Sequence, residues 1–150
     1  MLTNTAEDGW PEDTSRVVVD GLAAFNAAHG SVPSEQKLAV LALDEDQHIV
    51  GGLLGRTDHG WFYVGWLWVS DGLRGQGVGV QLMDRAETVA RQRGCHAAHL
   101  TTLEFQARTF YEHRGYQVFG TLEDYPRPYR RFFMKKDLVP KDPLKCVDRR

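Results

Sequence analysis

The run Arg74-Gly75-Gln76-Gly77-Val78-Gly79 decides how this chain is read. It follows an apolar stretch, Trp61 to Val69, and opens a helical pattern that extends to Gly94. Glycine recurs at positions 75, 77 and 79. Without Cβ atoms these residues let a ligand lie directly on the backbone. The loop feeds a helix N-terminus, where unpaired N–H groups and the macrodipole favour an anion. Strand, glycine loop and helix together predict a cradle for a phosphate or pyrophosphate.

Three nucleotide-type readings compete. A P-loop ends in Gly-Lys-Ser/Thr, and Gly79-Val80-Gln81 supplies neither the lysine nor the hydroxyl. A dinucleotide fingerprint needs a further glycine where Val80 stands. Glu104 lies near the place of a ribose-binding acid, so that reading stays open. The third ligand is coenzyme A, and there the spacing fits. Arg-x-x-Gly-x-Gly, as Arg74, Gly77 and Gly79, resembles the pyrophosphate loop of the GNAT superfamily of N-acetyltransferases. The segment Ala107-Arg108-Thr109-Phe110-Tyr111-Glu112-His113-Arg114-Gly115-Tyr116 resembles that family's pattern Ala-x-x-Phe/Leu-Tyr-Glu-x-x-Gly-Phe/Tyr. The two motifs occur in the family's order, and the resemblance covers roughly residues 38 to 136.

A chain of 150 residues with 42% hydrophobic content suits one compact domain with a single core. We expect that domain over residues 1–137, with a Pro/Lys-rich tail over 138–150 outside the core. A net charge of −2 argues against nucleic-acid binding as the main activity. Cys95 and Cys146, the only cysteines, read as free thiols of a reducing compartment. The amino end has no signal pattern, and no apolar run is long enough to span a bilayer, so the expectation is a cytoplasmic protein.

Periodicity predicts the elements. Val18, Leu22, Phe25 and Ala28 recur at helical spacing, giving a helix from about Ser15 to His29 with Gly30 as its stop. Leu2 to Thr5 reads as a short edge strand. Leu38 to Leu43 and Ile49 to Arg56 form a hairpin, and Trp61 to Val69 a long central strand. Val78, Leu82, Met83, Ala86, Val89 and Ala90 share one helix face, capped by Gly94. Strand Ala97 to Leu103, helix Gln106 to Arg114, and strands Tyr116 to Leu122 and Arg130 to Lys136 follow. The order is that of a mixed α/β layer with one parallel crossover at the glycine loop. It matches the GNAT fold, a mostly antiparallel sheet flanked by helices. In that fold the central strand and its parallel neighbour splay apart, and the acyl-CoA arm lies in the gap.

The resemblance implies roles residue by residue. Leu67, Trp68 and Val69 match the strand end whose backbone pairs with the pantetheine arm and polarises the thioester carbonyl. Arg74, Gly75, Gln76, Gly77, Val78, Gly79 and Val80 match the pyrophosphate loop. Tyr111 matches the general acid that protonates the departing thiolate. A thiol of pKa ~8.5 makes that proton worth about 2 kcal/mol at neutral pH, whereas deprotonating an amine of pKa ~10.4 costs roughly 4.6 kcal/mol. Removing the amine proton is therefore the larger hurdle. Many relatives carry an acid on the central strand, but Trp61 to Val69 contains none. Glu104 stands where many relatives have an asparagine that touches the coenzyme arm; it is a candidate base, or a solvated loop acid. The six histidines show no metal-ligand spacing, His99 reads as a packed or surface residue, and Cys95 as structural.

The acceptor pocket is expected opposite the coenzyme arm, with Phe25, Trp61, Tyr63, Trp66, Glu123, Asp124 and Tyr125 as candidates. Aromatic walls with nearby acids suit a cationic or aromatic amine. The implied reaction is transfer of acetyl from acetyl-CoA to a primary amine of a small molecule or peptide by direct attack. A non-catalytic acyl-CoA-binding or sensor module is the alternative. Neither a nucleic-acid nor a membrane partner is expected. GNAT proteins often dimerise, so a homodimer is one expectation, although no patch marks its surface.

Overall fold

The computed structural model describes residues 2 to 6 and 8 to 140. Its backbone forms two units, one up to Pro33 and one from Ser34 onward. The first holds helix α1 (Glu12–Ala28). This helix begins at Glu12 rather than Ser15: Glu12 and Asp13 place negative charge at the positive end of the dipole, and Arg16 pairs back to Glu12 at 3.0 Å. Gly30, with φ +82°, follows its end. Val18, Leu22 and Phe25 are exposed. Residues 2 to 6 form no strand.

The second unit is a sheet carrying α2 (Val78–Gln92) and α3 (Arg108–His113). Its strands are β1 (Gln36–Leu43), β2 (Ile49–Asp58), β3 (Trp61–Val69), β4 (Ala97–Leu103), β5 (Gln117–Leu122) and β6 (Arg131–Asp137), in the order β1-β2-β3-β4-β6-β5. Only the β3–β4 pair is parallel. Leu82, Met83, Ala86 and Ala90 on one face of α2 pack on Leu53, Phe62, Val64, Leu100 and Met134 to make the core. Gly94, φ +85°, closes α2: its N–H reaches the Arg91 carbonyl and the Cys95 N–H reaches that of Ala90, a Schellman motif.

One residue sets the shape of the central strand. Leu54 pairs with Trp66 and Gly55 with Val64, so Gly65 is an unpaired bulge. The alternation of β3 shifts there by one. Before it, Phe62 and Val64 are buried against the helices; after it, Leu67 and Val69 pack on the core while Trp66 and Trp68 are 71% and 52% exposed. Trp61, Tyr63, Trp66 and Trp68 therefore share the face opposite the core. Gly55 permits the close crossing, since a Cβ there would stand 2.5 Å from the Tyr63 carbonyl oxygen. Pairing of β3 with β4 ends at Val64–Leu100, although both strands continue. From the bulge onward the parallel pair splays.

The chain end differs from expectation at one point. Leu138, assigned to the tail, is buried in the core; its N–H donates to the His96 carbonyl and its own carbonyl accepts from Arg91 Nε at 2.7 Å. Cys95 is a free, buried thiol, and burial pushes its pKa up. Cys146 lies outside the described residues. Among the described residues no helix is long and apolar enough to cross a membrane.

Candidate active site at the splayed strands

Two grooves meet through a throat at the splay. The first groove, about 550 Å³, runs between the end of β3 and the glycine loop; Leu67, Trp68, Val69 and Arg74 line it, with Phe110 of α3. Gly75 and Gly77 have φ +74° and +83°, a conformation that side chains disfavour, and a Cβ at either would face open space. Gly77 is the N-cap of α2. The first bond of the helix ladder is donated by Gln81 to the Gly77 carbonyl, so the N–H groups of Val78, Gly79 and Val80 precede the ladder. No acidic side chain and no capping side chain occupies that first turn. A bare, positively polarised helix end beside an open groove fits a diphosphate, and the apolar strand end fits an acyl-pantetheine arm. Arg74 is less available than its charge suggests: Nε donates to the Val69 carbonyl and a terminal nitrogen pairs with Asp71 at 3.0 Å. Gln76 is turned back onto the Gly72 carbonyl. The cradle is thus backbone.

The throat, about 200 Å³, shares Leu67 and Ala107 with this groove. Thr101, Thr102, Gln106 and Tyr111 complete its polar lining, and Tyr111 is its only ionisable side chain. Tyr111 reaches it because α3 is short and firmly ended. Gly115, φ +87°, forms a second Schellman cap, in which the Tyr116 N–H bonds the Tyr111 carbonyl at 3.0 Å and the two rings meet edge to face. Burial raises the Tyr111 pKa above the ordinary tyrosine value. Behind it, Tyr116 Oη donates to the buried Glu87 of α2 at 3.1 Å, and Lys136 and Arg114 close on the same carboxylate. This network ties the helix of the glycine loop to the turn that holds Tyr111.

The far groove, about 680 Å³, opens on the aromatic face and shares Gly65 and Trp66 with the throat. Tyr63, Arg56 and Lys37 line it. Trp61 does not line it; its ring stands edge-on to His96 and His99. His99 packs on Tyr63, and burial with the nearby Arg56 charge pushes its imidazole pKa down.

The remaining candidates of the second unit lie elsewhere within it. Glu123, Asp124 and Tyr125 line neither groove nor the throat; Asp124 pairs with Arg127, and Arg131 covers the Tyr125 ring. Phe25 belongs to the first unit. Glu104 is gripped by Arg130 through the backbone N–H and guanidinium, the shortest contact 2.6 Å, and these bonds hold its carboxyl below the ordinary range. It is a weak proton acceptor. Sequence reasoning passed over Phe110 and Ala107 as lining residues, although both stand in the quoted Tyr111 segment. It also passed over Thr101, Thr102 and Gln106, which carry no motif signal. Among the described residues no cluster could hold a metal.

Comparison with known proteins agrees with this geometry. The model of the acetyltransferase (GNAT) family matches residues 3–116. The chain is 34% identical to acetyltransferase Atu2258 of Agrobacterium fabrum over 110 residues, 73% of this chain and 80% of that one. It is 38% identical to blasticidin-S acetyltransferase of Streptomyces morookaense over 101 residues, 67% and 74% of the two chains. The crystal structure of an acetyltransferase from Bacillus cereus superposes with a TM-score of 0.81 at 25% identity, covering 89% of this chain and 97% of that one. With its glycine cradle, splayed parallel pair and sequence kinship, the chain belongs to the acetyltransferase (GNAT) family, whose enzymes draw the acetyl group from acetyl-coenzyme A.

Proposed function

We propose that this acetyltransferase acts on a primary amine of a small molecule or short peptide, which attacks directly from the far groove. The observation that carries the reading is Tyr111, a phenol whose pKa burial raises, at the throat where the two grooves meet. Acetyl-CoA, when bound, supplies a thioester carbonyl activated toward an amine. The N–H groups of Val78, Gly79 and Val80 and the strand end at Leu67 to Val69 would hold it. Tyr111 supplies from its Oη the proton that a thiolate of pKa ~8.5 needs on departure. No other ionisable side chain lines the throat, and Glu104 is committed to Arg130, so the amine sheds its proton to water. The buried, raised Cys95 thiol offers no nucleophile for an acyl-enzyme path. The name of the blasticidin-S relative supports a small-molecule acceptor.

The test is thiol release from acetyl-CoA across a panel of amines, with the Tyr111→Phe variant alongside. The proposal expects turnover of at least one amine class and a kcat loss of about thirtyfold in the variant, the rate equivalent of about 2 kcal/mol, at unchanged coenzyme affinity. Full activity in Tyr111→Phe would remove the phenol from the mechanism.

A further inference from the structure

The far face carries an arrangement that general acetyl transfer does not require. Strand register places Lys37 opposite Arg56, Arg56 opposite Tyr63, Tyr63 opposite His99 and His99 opposite Lys135, one residue from each of five adjacent strands. The Arg56 guanidinium lies 4.5 Å over the Tyr63 ring, and Lys37, Arg56 and Tyr63 line the far groove together. Like charges directly opposite on one face repel. The only counter-ion in the groove is Glu35, 3.4 Å from Arg56 with both partners half-exposed, a contact of little strength. On the throat side the next row is uncharged: Ala39, Leu54, Trp66, Thr101 and Phe133. On the other side stand Asp58, already bonded to Ser34 and His59, and Asp137. A molecule extending from the throat along this face therefore meets the cations first.

Resting on the reading of the far groove as the acceptor site, we infer that the acceptor is a primary amine bearing a carboxylate, which Arg56 and Lys37 grip while the amine reaches the throat at Gly65 and Trp66. Arg56 suits a carboxylate because its planar fork is already oriented by Tyr63. The row at Tyr63 and the bulge at Gly65 are two positions apart on β3, about 7 Å at strand rise. Amine and carboxylate are thus separated by about the length of a dipeptide. Polycationic amines meet repulsion in the same place.

Glycylglycine and glycylglycinamide test this, since they differ only in the carboxylate. The expected result is a kcat/KM at least about tenfold higher for glycylglycine, expressed mainly in KM as for ground-state binding. Arg56→Gln and Lys37→Gln should each bring glycylglycine toward the amide, and thermal unfolding should show both variants folded. Equal rates for the two dipeptides, or a preference that survives both substitutions, overturns the inference. Turnover of other amines with neither dipeptide acetylated overturns it too, while leaving amine acetylation standing. A complete absence of amine turnover sinks the proposed reaction instead. Calorimetry with N-acetylglycylglycine then decides the carboxylate site alone: binding that is lost in the variants supports it, and no binding to the unaltered protein refutes it.

Discussion

Gly79→Ala should push stability and coenzyme affinity in opposite directions. Gly79 lies inside α2 with ordinary helical φ, where glycine is worth up to about 1 kcal/mol less than alanine. A Cβ there would meet the Phe110 ring at 3.5 Å and Val69 Cγ2 at 3.9 Å, ordinary contacts that strain nothing. For a chain of this size, 1 kcal/mol corresponds to roughly 2–4 °C, so the ligand-free variant should melt up to about 4 °C higher. Phe110 and Val69, however, are walls of the first groove, so the new methyl stands where a ligand must approach the N–H groups of Val78, Gly79 and Val80. Loss of one hydrogen bond to a charged oxygen costs about 1.5–3 kcal/mol, a ten- to hundredfold weaker Kd for coenzyme A. Differential scanning fluorimetry and titration calorimetry read the two effects separately. A variant that binds coenzyme A as tightly as the unaltered protein would refute the backbone cradle, whatever its melting temperature.

Gly77→Ala tests the same loop by another cause: its φ of +83° costs alanine about 1–2 kcal/mol with no clash, so the melting temperature should fall by a few degrees. Glu87→Ala strips the counter-charge from Lys136 and leaves Arg114 only its pair with Asp84; breaking a buried pair costs about 3–5 kcal/mol, and thermal unfolding should drop by on the order of 10 °C. Glu104→Gln should leave kcat within about twofold, in contrast to a general base whose removal costs at least about a hundredfold. Because the folded Glu104 carboxyl lies below its ordinary value, its pairing with Arg130 stabilises above that value and is lost as pH falls through the folded one. The variant should therefore show a shallower acid fall in melting temperature. If water takes the amine proton, kcat/KM at neutral pH should rise as the acceptor pKa falls from ~10.4 toward ~8, and a profile insensitive to amine basicity would point to a base in the protein.

What was legible in the chain was local. The glycine loop, the apolar face of α2 and the cap at Gly115 are each specified within a few neighbours, so the first groove and the place of Tyr111 could be read directly. Helix α1 begins before its apolar spacing does because Glu12 and Asp13 suit the positive end of the dipole, a signal that apolar periodicity does not carry. Glu104 could be read as base or loop acid because its partner, Arg130, is distant in sequence and only the β4–β6 pairing brings the two together. Glu123, Asp124 and Tyr125 are acceptor candidates through the family resemblance, which places the loop between the last two strands at the pocket, yet here Asp124 pairs with Arg127 and Arg131 covers the Tyr125 ring. Leu138 looked like tail because hydropathy does not reveal a residue whose backbone is held by His96 and Arg91.

Gly65 shows why a single strand serves both grooves. Within Trp61 to Val69 strict alternation would put the two indoles of Trp66 and Trp68 on the core face with Phe62 and Val64, and turn the aliphatic Leu67 and Val69 away from the core. The bulge removes that conflict by moving Leu67 and Val69 to the core side and both tryptophans to the far side. It also ends the pairing with β4, since a bulged strand bends and twists more strongly than its neighbour. The inner edge of β3 past that point has lost its partner, and this unpaired edge borders the throat. One unpaired residue thus exposes the strand edge at the throat, sets Trp66 on the far groove, and leaves Leu67 to Val69 lining the same groove as the glycine loop. A single glycine in an aromatic strand is the sequence trace of all three.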